Sequence, residues 1–264
     1  SDAYSPKEIA ARIETVGIAK ARMALLPMLM LGMLAGAFIG LGALFFVIVR
    51  SDSSLSFAAS QVLSGLVFCL GLLLVVIAGA ELFTGNNLIA MAWADGQVST
   101  AEVLRNWFWV CLANFVGAFG LALLVAGSGH VQLNGGQIGQ TVMRIALAKQ
   151  NLSTEQALVR GVLCNVLVCL AVWMAMGGRS VMDKAIAIVF PITAFVAAGF
   201  EHSIANMYFF SLALILQWAD PVWGNAITIS GMLGNLVPVI LGNLLGGSVL
   251  VGLVYFVIYR RPAQ

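Results

Sequence analysis

The sequence predicts an all-α membrane protein with six transmembrane helices, the second and fifth of them broken. Three observations predict it. The 264 residues are 61% hydrophobic and only 9% charged, well outside the usage of soluble domains, with a mean hydropathy of +1.00. Apolar runs at 24–49, 56–82, 106–127, 158–177, 186–216 and 232–258 each reach the ~20 residues a helix needs to cross hydrocarbon. Runs two and five carry polar residues and glycine, as "GAELFTGNN" at 79–87 and "GFEHSIAN" at 199–206.

Each element has its own signal along the chain. Ser5-Pro6-Lys7-Glu8 has capping-box spacing with proline at the first helical position, and Ile9, Ile13 and Val16 share one face. Residues 1–22 therefore form an amphipathic helix, lying on the membrane surface or extending into solvent. The segment is polar and begins a helix, so it does not read as a cleavable signal peptide. Ser99 to Glu102 and Ser153 to Gln156 repeat the capping-box spacing and place the starts of spans three and four. The loops at about 128–157 and 217–231 are polar or contain glycine and cap the external face.

With the N-terminus inside, Lys7, Arg12, Lys20, Arg22, Arg105, Arg179, Lys184, Arg260 and Arg261 are cytoplasmic, against Arg50, Arg144, Lys149 and Arg160 outside. That bias puts both termini in the cytoplasm. The net charge of +2 is too small to point to nucleic acid. Cys69, Cys111, Cys164 and Cys169 fall inside spans, where a thiol packs as a small hydrophobe.

The two polar patches match each other. Gly79-Ala80-Glu81 with Asn86 and Gly199-Phe200-Glu201 with Asn206 share the form Gly-x-Glu-x4-Asn at an offset of 120 residues, and an Asn-x-x-Gly pair recurs at Asn114-Gly117 and Asn243-Gly246 at an offset of 129. Three spans per half is odd, so the halves, 24–127 and 153–258, form an inverted repeat, and matched breaks point to a transport site between them.

Non-helical backbone inside a bilayer is tolerated only where protein or water satisfies it. Half-helices restarting after Thr84-Gly85 and after His202-Ser203 aim positive N-terminal ends at the centre, which suits an anion. Glu81 and Glu201 either accept from the opened backbone, with Asn86 and Asn206 completing the network, or touch the substrate directly, and Ser203 begins the second half-helix. His202, the intramembrane titratable group, is either a neutral structural histidine or a functional one, with Thr84 its partner across the pore. Phe68, Leu72 and Phe195 lie before the breaks and either close the pathway or pack in the core. A water channel of the aquaporin type would carry Asn-Pro-Ala triplets, and an enzyme a nucleophile or metal cluster; the sequence has neither pattern. No cofactor is expected.

The strings "GFEHSIANM" at 199–207, "ELFTGN" at 81–86, "NVLVCLAVWMA" at 165–175 and "GRSVMDKA" at 178–185 resemble the formate/nitrite transporter family over essentially the whole chain, most of all its formate-channel branch. The resemblance implies an aquaporin-like protomer, a homopentamer with one pore per protomer and lipid on the fivefold axis, and a bacterial-type inner membrane. It makes His202 the central pore histidine with Thr84 beside it, and Phe68, Phe195 and Leu72 the apolar constriction. Asn165 becomes a span-four asparagine near the pore, and Lys149 a basic residue at the external mouth that draws in anions. The loop "LFTGNN" departs from the Thr-Ser-Thr of formate channels and is more like the nitrite branch. Together these predict a channel for small weak-acid anions, formate before nitrite or hydrosulfide, in which protonation at His202 assists passage as the neutral acid.

Overall fold

The computed structural model describes residues 2–262, and every regular element among them is helical. Among the described residues, five helices are long and apolar enough to cross a membrane: Leu25–Arg50, Phe57–Gly79, Thr100–Gly127, Thr154–Ala175 and Ile229–Tyr259. Two helices of 17 residues, Val181–Ala197 and Ser203–Ala219, come one after the other with a short non-helical link.

Capping side chains set several starts as their spacing predicts. Ser5 and Ser99 make reciprocal capping boxes with Glu8 and Glu102, and Ser153 accepts from the Gln156 N–H. The segment 137–150, which has the polarity of a loop, is instead the helix Gln137–Gln150. Its N-cap is Gly136, which has no side chain to announce a start.

Leu25–Arg50 packs along Thr100–Gly127, and Thr154–Ala175 packs along Ile229–Tyr259. Each pair closes on a glycine: a Cβ on Gly117 would collide with the Met33 carbonyl, and one on Gly246 with that of Val162. These contacts are 129 residues apart at both ends. Small residues at such crossings let backbones approach where lipid offers no hydrophobic drive.

The N-terminal helix Pro6–Ala21 differs from expectation. Its apolar face is covered by the protein rather than by a membrane surface, because Ile9 and Ile13 cluster with Leu88, Met91, Trp173 and Val251. Glu14 lies against Arg260, Nε to Oε1 at 3.2 Å, so the chain's two ends meet on one side of the bundle. That side is the near side, and the opposite one the far side.

Candidate functional site

Two helices stop in the middle of the bundle, each on a left-handed glycine. Gly79 has φ 100° and Gly199 φ 76°, values that cost a residue with a Cβ free energy. The chain runs extended through Ala80 and Leu82, then restarts as Phe83–Asn86; after Gly199 it restarts as Ser203–Ala219. The first restart comes ahead of the expected point after Thr84-Gly85, so Thr84 lies in the first helical turn.

One hydrogen-bond pattern serves both links. Asn114 accepts the Phe83 N–H at 2.9 Å and donates to the carbonyls of Gly32 and Glu81. Asn243 accepts the Ser203 N–H at 2.9 Å and donates to those of Gly161 and Glu201. Asn86 donates to the carboxylate of Glu81 and to Asn106; Asn206 donates to Glu201 and to Asn235. Each carboxylate also holds a lysine, Glu81 with Lys20 at 2.9 Å and Glu201 with Lys149 at 2.7 Å. Asn106 and Asn235 then donate to the carbonyls of those same lysines. Buried carboxylates survive in such a place only when paired and fully hydrogen-bonded.

Between the links, His202 Nε2 lies 2.9 Å from Thr84 Oγ1, both residues being buried. His202 is also the N-cap of Ser203–Ala219, its Nδ1 accepting from the Ala205 N–H at 3.1 Å. An Nδ1 that accepts places the single proton of the neutral ring on Nε2, from which it donates to Thr84. The Thr84 hydroxyl proton is thereby left to another acceptor. Phe195 stacks on the imidazole at 5.9 Å, and Phe68 meets Phe195 edge to face at 5.7 Å.

Cavities open on either side of this centre. The far one, about 260 Å³, is lined by Phe68, Phe195, Lys149, Glu201 and His202. The near one, about 440 Å³, is lined by Leu72, Gly79, Glu81, Leu82 and Gly85, with Lys20 and Val16 of the N-terminal helix at its mouth. Phe68 therefore faces one cavity and Leu72, one turn on, the other.

Comparison with known proteins gives the family of the chain. The family model for the formate/nitrite transporter matches residues 7–257. The chain belongs to the formate/nitrite transporter family. It is 37% identical to the formate channel FocA of Escherichia coli K12, over 98% of this chain and 96% of that one. The formate channel BtFdhC of Bacillus thuringiensis is also 37% identical, over 98% and 96%. A solved structure described as a pentameric formate channel with formate bound superposes with TM-score 0.83 at 36% identity, covering 90% of this chain and 98% of that chain. An aquaglyceroporin from Plasmodium falciparum gives TM-score 0.53 at 12% identity, over 88% and 99%, a likeness of fold alone. The family is one of transporters rather than enzymes.

Within this formate/nitrite transporter the structure gathers His202, Thr84, Phe68 and Phe195, leaves Leu72 to the near cavity, and sets Glu81, Glu201, Asn86 and Asn206 in the frame around them. Ser203 gives its backbone N–H to that frame. One expectation changes: the Glu81 and Glu201 carboxylates accept from the side chains of Asn86, Asn206, Lys20 and Lys149 rather than from opened backbone, whose N–H groups go to Asn114 and Asn243. Asn165 lines neither cavity; it stands behind Thr84, donating to the Thr84 carbonyl at 3.2 Å and to Asn87 and Asn243. Lys149 lines the far cavity, but its charge is matched by Glu201. Lys20, Asn106 and Asn235 were missed. The two asparagines stand at the same 129-residue offset as Asn114 and Asn243, and that offset was the available signal.

Proposed function

We propose that this transporter is a channel for small monovalent weak-acid anions, formate first, through a pathway running from the far cavity past Phe68, Phe195, His202, Thr84 and Leu72 to the near cavity. The observation that carries it is the buried His202–Thr84 pair, a hydrogen-bond donor set under apolar rings with a cavity on either side. A charged ion is costly between such rings. As the anion sheds water its own pKa rises, and the free Thr84 hydroxyl proton points a donor at it. A proton relayed from bulk water through His202 then lets it pass as the neutral acid. A second proton on His202 must take Nδ1 from the Ala205 N–H, so the charged ring lasts only while an anion opposes it.

The wider organisation belongs to the same proposal. Val181–Ala197 and Ser203–Ala219 together make the sixth span, the second broken one after the helix ending at Gly79. The halves 24–127 and 153–258 are inverted repeats whose breaks meet at the centre, which the duplicated hydrogen bonds support. By positive-inside bias the near side is cytoplasmic and the membrane a bacterial-type inner membrane. A pentamer with lipid on its axis is inferred from the likeness to the pentameric relative and gives exposed apolar residues such as Leu26, Phe108, Leu124 and Phe190 either lipid or a neighbour to face. In the Thr84-Gly85-Asn86 loop, which is more like the nitrite branch, Asn86 turns its amide to Glu81 and Asn106; nitrite or hydrosulfide is the alternative substrate to formate.

The test is formate uptake into proteoliposomes with a pH dye in the lumen. Uptake should carry protons, weaken on His202→Asn and stop on His202→Phe. Uptake that leaves lumen pH unchanged and is indifferent to His202→Asn overturns the protonation step, and failure to move any monovalent anion overturns the channel.

A further inference from the structure

The far cavity is more basic than Lys149 makes it. Arg50 and Arg160 line it as well, and neither forms a salt bridge among the described residues. With Lys149 matched by Glu201, the uncompensated charge of this cavity lies on the two guanidiniums.

Arg50 is the one held in a defined position. It ends the helix Leu25–Arg50, and its Nε donates to Ser64 Oγ at 3.0 Å. Ser64 is fully buried and donates onward to the Gln61 carbonyl at 3.1 Å, so its hydroxyl is satisfied on both counts. The guanidinium carbon lies 4.8 Å from the centre of the Phe46 ring. A bond at Nε and a ring beneath fix the plane of a guanidinium. The two terminal nitrogens make no hydrogen bond among the described residues, and they are the end of the fork suited to a planar anion. Phe46 in turn meets Phe68 edge to face at 6.5 Å. Arg50 thus stands one aromatic ring away from the Phe68–Phe195 closure.

We propose that Arg50 forms an anion-binding subsite of the far cavity, its paired terminal N–H groups holding a planar two-oxygen anion, a carboxylate or nitrite, ahead of the aromatic closure. The site rests on the anion pathway proposed above. It also supplies selectivity: a carboxylate or nitrite takes two parallel hydrogen bonds from the fork, whereas hydrosulfide gains only the charge.

The experiment is concentration-dependent uptake of formate and of hydrosulfide into proteoliposomes, for the wild type, Arg50→Met and Arg50→Lys. Arg50→Met should raise the half-saturating formate concentration about fivefold, the size of one partly exposed charge-assisted contact. Arg50→Lys, which keeps the charge without the fork, should leave formate weakened while hydrosulfide returns to the wild-type value. The lysine variant also decides the matter if the methionine variant fails to assemble. Wild-type formate uptake with half-saturation unshifted in the variants overturns the subsite alone. A wild-type protein that moves no monovalent anion overturns the channel and this site with it.

Discussion

Nε2 of His202 and Oγ1 of Thr84 stand 2.9 Å apart although 118 residues separate them in the chain. With His202 Nδ1 occupied by the Ala205 N–H, the threonine hydroxyl is the donor left for a permeating anion in the proposed pathway. Thr84→Val keeps the shape and removes that donor. Formate flux in proteoliposomes should fall about tenfold, the equivalent of one hydrogen bond, with the size-exclusion elution volume unchanged from wild type.

Lys149, part-buried at 16% side-chain exposure, pairs with Glu201, buried at 5%. Removing one partner strands a charge, at a cost of about 3–5 kcal/mol. Lys149→Met should therefore lower the midpoint of thermal unfolding in detergent more than the double variant Lys149→Met with Glu201→Gln does. Equal losses would mean that the pair is not coupled.

Asn114 and Asn243 each accept one backbone N–H and donate to two carbonyls. Replacing either with leucine leaves buried backbone groups unpaired, at about 1–3 kcal/mol per group. The two variants should lose similar stability, and a large difference in thermal midpoint would show that the two links are not equally held.

At Gly199 nothing stands within 4 Å of an added Cβ, but φ is 76°. Gly199→Ala should accordingly cost only the left-handed backbone penalty, about 1–2 kcal/mol. The same holds for Gly79→Ala, where φ is 100° and the space is also open. Thermal midpoints of the two variants measure it directly.

Glu14 belongs to the near-side layer. Burial pushes its carboxyl above the usual range, with the Asp95 carboxylate adding to that effect and Arg260 opposing it. A carboxyl whose pKa is raised on folding makes the folded state bind the proton more tightly, so the charged form is a net burden above the ordinary pKa of 4.5. Glu14→Gln should raise the thermal midpoint at neutral pH. The gain should shrink as pH falls through the folded-state pKa and Glu14 itself becomes neutral.

Much of this was legible in the chain. The Gly-x-Glu-x4-Asn pair and the Asn114 and Asn243 motifs mark both links because each must satisfy the same exposed backbone groups. The helix Gln137–Gln150 was not legible, since a glycine N-cap carries no sequence mark and its surface is polar. The pairing of Glu81 with Lys20 and of Glu201 with Lys149 joins residues 61 and 52 positions apart. No local periodicity encodes such a contact, so the partner of Lys149 is not legible in the chain. Arg50, at the end of an apolar run, had the sequence context of an ordinary interfacial residue.

The 120-residue offset that carries Glu81 to Glu201 and Asn86 to Asn206 also carries Leu82 to His202 and Thr84 to Ile204. The architecture is duplicated, then, but its reactive pair is not: each copy contributes a single polar side chain and meets it with the other copy's aliphatic one. Positions 82, 84, 202 and 204 are thus a replaceable insert in a fixed mount.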